Sequence, residues 1–266
     1  MTLRWFVAGL VAALLAISSQ TQSAHAQSAF VEEVTSIEQG ATSVAVADLD
    51  GDGDLDAWFG YQNESRIYRW TDGAWTDSGQ LLGEDVFIQD VALGDFDADG
   101  DVDAVTLDFD NVTIWINAGG KQAGTESVFA SRISFPTDLG GRLVLGDLDN
   151  DGDTDIVATM NNGPVRLLLN TSPGGHWLQV VVRGGPRNRF GFGARVGVER
   201  PGWPTLWRRV GTDGSYLSAS DPRVHVGLGD WTGPADILVY WPDGRSHREH
   251  SAKIDRITVL TAPPAP

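Results

Sequence analysis

The sequence predicts an all-β protein: three blade-like sheets in a row, then a small antiparallel β-sandwich-like domain. Three observations carry this. Glycine supplies 32 of the 266 residues, well above the usual ~7%, which implies many tight turns. A nine-residue acidic motif occurs three times, each copy flanked by short apolar runs. After Asn170 the acidic motif stops, and short β-type runs alternate with Gly/Pro/Asn/Asp turns.

The N-terminal segment 1–26 stands apart. Arg4 gives a positive start, residues 5–17 are apolar, and Ala24-His25-Ala26 has the small-residue form of a cleavage site. A permanent membrane helix needs about 20 apolar residues, so this shorter run reads as a secretory signal peptide. The expectation is a secreted or periplasmic, extracellular protein beginning near Gln27, with no membrane span. Cysteine is absent from the sequence, which excludes disulfides, thiolate zinc sites and a cysteine nucleophile.

Charge divides the rest. Residues 27–175 hold 28 acidic and 6 basic residues, whereas 176–266 hold 8 acidic and 12 basic. The formal net charge of −17 argues against non-specific nucleic-acid binding. The asymmetry predicts two domains, 27–172 and 173–262, with a tail at 263–266.

The acids cluster in DLDGDGDLD (48–56), DFDADGDVD (95–103) and DLDNDGDTD (147–155), loops 1 to 3. A repeat period near 50 residues points to stacked or radial units. Each loop follows an apolar strand (43–47, 91–94, 143–146) and precedes another (57–60, 104–107, 156–159). Third strands are predicted at 65–70, 112–117 and 165–170, and fourth strands at 76–82 and 126–135. About four strands per repeat is the pattern of a propeller blade. The run FVEEVTSI (30–37) is a further strand candidate for a terminal blade.

Five aspartates in nine residues repel one another unless a cation sits among them. Calcium is a hard cation that takes six to eight oxygens, and D-x-D-x-D-G-x-x-D offers them in order. Positions 1, 3, 5 and 9 give carboxylates: Asp48, Asp50, Asp52, Asp56; Asp95, Asp97, Asp99, Asp103; and Asp147, Asp149, Asp151, Asp155. Position 7 offers a backbone carbonyl, from Asp54, Asp101 and Asp153, and glycine at position 6 (Gly53, Gly100, Gly152) allows the turn. An EF-hand would place a bidentate Glu at position 12 between helices. Here position 12 is Phe59, Thr106 or Ala158 and the flanks are strands. The expectation is about three Ca²⁺ sites.

On these loops and strands the segment 43–170 resembles the FG-GAP/VCBS repeats of integrin-like β-propellers. The resemblance implies calcium loops between the first two strands of each blade. Family propellers usually have seven blades and this chain shows three, so an open partial propeller, closure by homo-oligomerisation, or end blades covered by the C-terminal domain are all open. In the basic half, HWLQVVV (176–182), NRFGFGARV (188–196), GSYLSASDPRVHVGLG (214–229) and WPDGR (241–245) resemble the ASPIC/UnbV domain, which often follows such repeats in cartilage acidic protein-like families. That resemblance brings no catalytic residues with it.

Other constellations are weaker. His247 and His250 lie beside Arg245 and Arg248 and read as a solvated basic turn. Ser218, Ser220, Asp221 and His225 lack the G-x-S-x-G frame of a nucleophile elbow. No catalytic residue is expected, so the chain reads as a non-enzyme. The function expected is that of a calcium-binding adhesion or protein-interaction module, its exposed loops meeting an extracellular protein or glycan. A calcium-dependent lectin, or a non-catalytic accessory of a polysaccharide-active enzyme, is the alternative. Trp70, Trp75, Trp203, Trp207 and Trp231, near turns, are the candidate stacking platforms.

Overall fold

The computed structural model describes residues 40–118, 128–137, 140–172, 174–212, 214 and 218–264. The signal-like segment 1–26 and the strand candidate 30–37 lie outside them. No helix occurs among the described residues, and none long and apolar enough to cross a membrane.

Each acidic loop joins the first two strands of an antiparallel sheet. Blade 1 runs β1 (Ser43–Ala47), β2 (Asp56–Gly60), β3 (Ser65–Thr71), β4 (Ala74–Leu82), paired in that order. Blade 2 repeats this with β5 (Asp90–Gly94), β6 (Asp103–Leu107), β7 (Asn111–Asn117) and β8 (Phe129–Pro136). Blade 3 has three strands, β9 (Gly141–Gly146), β10 (Asp155–Met160) and β11 (Arg166–Leu168). The sequence that follows, TSPGG (171–175), has no strand-forming residue between Ser172 and His176. In every blade the position-9 aspartate is the first residue of the second strand.

The blades pack face to face. Ala45, Trp58 and Ile67 of blade 1 meet Val91 and Ala104 of blade 2, and Trp58 stands edge-on to Phe129 with ring centroids 4.9 Å apart. The opposite face of blade 2, with Ala92 and Val105, meets Leu143, Leu145 and Ile156 of blade 3. Period-two alternation sorts each strand's side chains between these two contacts.

Strand register shows what the last blade lacks. Trp58 pairs with Ile67 in blade 1, Val105 with Ile114 in blade 2, and Val157 with Leu167 in blade 3. Ile67 is 0% exposed beneath blade 2, but Leu167, its counterpart, is 62% exposed. Val165 and Leu169 flank it on the same exposed side. At the other end Val44 and Val46 of β1 are likewise open. No ring closes within the described residues.

The C-terminal half is a sandwich of two sheets. Sheet one orders β15 (Val224–Gly229), β12 (His176–Arg183), β18 (Arg256–Thr261). Sheet two orders β14 (Leu206–Arg209), β13 (Arg195–Glu199), β16 (Ala235–Tyr240), β17 (Ser246–Ala252). Their inner faces share one core, with Leu178, Val180, Val196, Val226, Ile237 and Val239 among its members. One pair departs from the antiparallel expectation: β12 and β18 run parallel. The predicted basic turn at 245–250 is also corrected, because His247 and His250 belong to β17. This edge strand is held by β16 and by Arg248, which meets Glu199 Oε2 at 2.5 Å and Asp236 Oδ2 at 3.2 Å.

Register equivalence predicts unequal costs. Ile67→Ala should destabilise by about 2–5 kcal/mol. Leu167→Ala should stay within about 0.5 kcal/mol. Urea denaturation of the two variants, read against wild type, checks the contrast.

Candidate metal centres

The three loops fold alike because their sequence dictates it. Position 6 sits at φ 97°, 102° and 97° in Gly53, Gly100 and Gly152, a region L side chains avoid. Position 4 is also left-handed, as Gly51, Ala98 and Asn150, which the sequence reading had not anticipated. The carboxylate two residues upstream accepts the position-7 N–H in each loop: Asp54 N–H to Asp52 Oδ1 (2.8 Å), Asp101 N–H to Asp99 Oδ1 (2.9 Å) and Asp153 N–H to Asp151 Oδ1 (2.9 Å). Such Asx turns wind the loop around its centre.

Carboxylates converge there. Asp48, Asp50 and Asp56 bring oxygens within 4.8 Å of one another, as do Asp95, Asp97 and Asp99, and Asp147, Asp149 and Asp155. Asp52, Asp103 and Asp151 lie outside these groupings, as do the position-7 residues Asp54, Asp101 and Asp153.

Position 9 has a second task. Both oxygens of Asp56 accept backbone N–H groups, from Leu49 (2.9 Å) and Trp70 (3.0 Å). Asp103 does the same with Phe96 (2.7 Å) and Asn117 (2.8 Å), and Asp155 with Leu148 and Asn170 (both 2.7 Å). The carboxylate therefore clamps the loop to the third strand in blades 1 and 2 and to Asn170, just past the third strand, in blade 3. Asn117 and Asn170 then reach back to the preceding loop, donating to Leu49 O (3.0 Å) and Phe96 O (2.8 Å).

Electrostatics follow from crowding and burial. Burial first, and Asp95 second, push Asp103 up to about 8. Asp56 and Asp95 rise to about 6, again chiefly through burial. Asp153 rises to about 6 by burial and by the neighbouring carboxylates, Asp151 foremost. Anions so placed gain from a nearby cation. Two buried oxygens, Asp95 Oδ1 and Asp147 Oδ1, have no hydrogen-bond donor, a costly state for a carboxylate unless a cation meets it. The donor set is all oxygen, which suits a hard divalent ion.

Loop 2 is not exposed, contrary to the sequence expectation, and loop 3 is exposed only over residues 148–151. The C-terminal sandwich lies on them. Gly227 N–H donates to Asp95 Oδ2 (2.8 Å), Gly229 N–H to Ala98 O (2.8 Å) and Arg208 Nη2 to Gly100 O (2.8 Å). On loop 3, Gln179 Nε2 donates to Asp147 Oδ2 (2.8 Å) and Arg223 Nη2 to Asp147 O (2.6 Å). His225 Nε2 lies 2.6 Å from Gly152 O; a carbonyl only accepts, so this nitrogen carries the proton. Its Nδ1 lies 3.4 Å from Thr154 Oγ1. With both ring nitrogens so engaged, His225 does not form a nucleophile–base pair with Ser220, whose Oγ accepts from Leu145 N–H (3.4 Å). Gln179, Arg223, His225, Gly227 and Gly229 lie in the stretches that resemble the ASPIC/UnbV domain, but nothing in the sequence indicated that they meet the acidic loops.

Two predictions follow from this interface. A Cβ on Gly152 would lie 1.9 Å from the Trp177 ring, whereas one on Gly53 meets nothing within 4 Å. Both alanine variants incur the backbone strain, so Gly152→Ala should lower the denaturation midpoint far more than Gly53→Ala. Burial, opposed by the Gly152 carbonyl, lowers His225 from 6.5 to about 4. The unfolded chain then binds the extra proton between these values, so His225's contribution is full above 6.5 and is lost as pH falls toward 4. Denaturation midpoints across that range should fall more steeply for wild type than for His225→Gln, whose amide can still donate to Gly152 O.

Comparison with known proteins agrees with the geometry. Residues 48–106 and 95–158 match the FG-GAP-like repeat family, and residues 184–266 match the ASPIC and UnbV family. Cartilage acidic protein 1 of Homo sapiens is 24% identical over 249 residues, which cover 84% of this chain and 36% of that protein. The chain thus spans little more than a third of that relative's length. Each FG-GAP match begins on a position-1 aspartate, Asp48 or Asp95. The chain carries FG-GAP-like repeats followed by an ASPIC and UnbV domain.

Proposed function

We propose that this β-repeat protein is an extracellular, calcium-stabilised interaction module with about three Ca²⁺ sites, one per acidic loop. The observation that supports it is the convergence of three carboxylates within 4.8 Å in each of three loops. The buried oxygens of Asp95 and Asp147 that lack a donor add to it. Positions 1, 3 and 5 or 9 hold the ion, and position 7 lends its carbonyl. Bound calcium offsets carboxylate repulsion and fixes the loop between the first two strands. The signal-like residues 1–26 support secretion. The role is binding rather than catalysis, and the partner is an extracellular protein.

A glycan ligand is the second reading. A cavity of about 680 Å³ lies between the first strands of the blades and the sandwich, with Asp48, Asp147, Arg195 and Trp207 in its wall. An indole beside carboxylates is a sugar-binding combination. A glycan array with and without calcium separates the two.

Calcium dependence is tested on the melt. Extracellular modules bind at about 10⁻⁴–10⁻³ M. At about 10 mM calcium a site of the tighter kind contributes about 2.7 kcal/mol. Chelation of metal-loaded protein should therefore lower the melting temperature, and calcium but not magnesium should restore it. Replacing Asp50, Asp97 and Asp149 together by Asn should abolish the response. A wild-type melt indifferent to chelator and calcium would refute the reading.

A further inference from the structure

Loops 2 and 3 differ from loop 1 in who holds them. The position-1 carboxylate of loop 1, Asp48, accepts from its own loop, Gly51 N–H at 2.8 Å and Gly53 N–H at 3.1 Å. In loop 2 the equivalent oxygen, Asp95 Oδ2, accepts from its own Gly100 N–H (3.1 Å) and in addition from the sandwich's Gly227 N–H (2.8 Å), and in loop 3 Asp147 Oδ2 accepts from the Gln179 amide (2.8 Å). Gln179 is 1% exposed, and Asp95 and Asp147 are 4% and 5% exposed. In both carboxylates the sandwich binds Oδ2 and leaves Oδ1 without a donor.

The backbone contacts have the same character. Ala98 O, Gly100 O, Asp147 O and Gly152 O are carbonyls of the two loops, and each accepts from Gly229, Arg208, Arg223 or His225. Ala98, Gly100 and Gly152, which carry three of these carbonyls, are the left-handed residues at positions 4 and 6. The sandwich therefore recognises the wound shape of the loop as well as its charge.

We propose that the metal sites of loops 2 and 3 and the docking of the sandwich are one coupled equilibrium. Gln179 and the Gly227 N–H act as positioning groups: they fix one carboxylate oxygen and thereby turn the other toward the ion. A cation that winds the loop presents the carbonyls the sandwich binds, and by linkage the docked sandwich raises metal affinity by the same factor. Loop 1 lies outside this coupling and provides a site with the affinity of an isolated loop. The proposal rests on the calcium reading above and adds that calcium sets how firmly the C-terminal half is attached.

Hydrogen–deuterium exchange on the full chain, paired with calcium calorimetry, tests it. Calcium should slow exchange in the segment 224–229, which holds the Gly227 and Gly229 amides, by tenfold or more. The Asp97→Asn, Asp149→Asn double variant should lose that protection, and Asp50→Asn should keep it while binding one ion fewer. Gln179→Met keeps the side-chain volume and removes the donor. It should weaken one site by about 10–100-fold, and a mere packing role for Gln179 would leave calcium affinity unmoved. If calorimetry shows binding while exchange at 224–229 is indifferent to calcium, the coupling is overturned and the calcium reading stands. If no calcium binds, both fall.

Discussion

Asp95 and Asp147 are buried carboxylates with one oxygen bound by the sandwich and the other lacking a donor. Much of the molecule can be understood from the need to hold such groups. A buried anion needs donors, a cation, or a proton. The chain provides donors through the loop backbone and through the C-terminal half, and it winds each loop so that further carboxylates face the same centre. The strands carry the loops at fixed spacing. Asn117 at the end of β7 and Asn170 just past β11 tie blades 2 and 3 to the loop before. Blade packing, loop shape and domain docking therefore share atoms, and a disturbance at one is transmitted to the others through contacts a few ångströms long.

Position 9 illustrates how one residue type can serve two levels of organisation. Its carboxylate bonds the loop's second residue and the end of the third strand in all three blades. These are local hydrogen bonds, buried or part-buried, and they join the loop to the strands of its own blade. Positions 1 and 3 reach the centre in all three loops. The motif thus combines a structural clamp with a set of converging carboxylates.

Much of the fold was legible because the motif itself punctuates the strands. Position 1 follows the first strand and position 9 opens the second, so β1, β2, β5, β6, β9 and β10 could be placed within a few residues. The apolar residues in 177–183 and 236–241 form β12 and β16 for a related reason, a buried face. β17 was missed because SHREHSA has almost no apolar residue. Its strand form comes from pairing with β16 and from ion pairs at the edge, neither of which leaves a periodic signal. The convergence of positions 1 and 3 was legible from spacing. The grip of the sandwich was not, since Gly227 and Asp95 lie 132 residues apart and Gln179 and Asp147 lie 32 apart. No local pattern encodes such a pairing.

Three copies of one sequence motif have come to live in different surroundings. The glycine of loop 1 faces open space, that of loop 2 lies against Gly227 O and Leu206, and that of loop 3 against the Trp177 ring. Drift in the first copy is limited by its own backbone. Drift in the second and third must also respect a partner surface encoded far downstream. Over evolutionary time the first loop thus answers to its own blade and to Asn117 of blade 2, which binds Leu49 O. The other two can change only in concert with β12 and β15, so sequence divergence should accumulate unevenly along a repeat that began uniform.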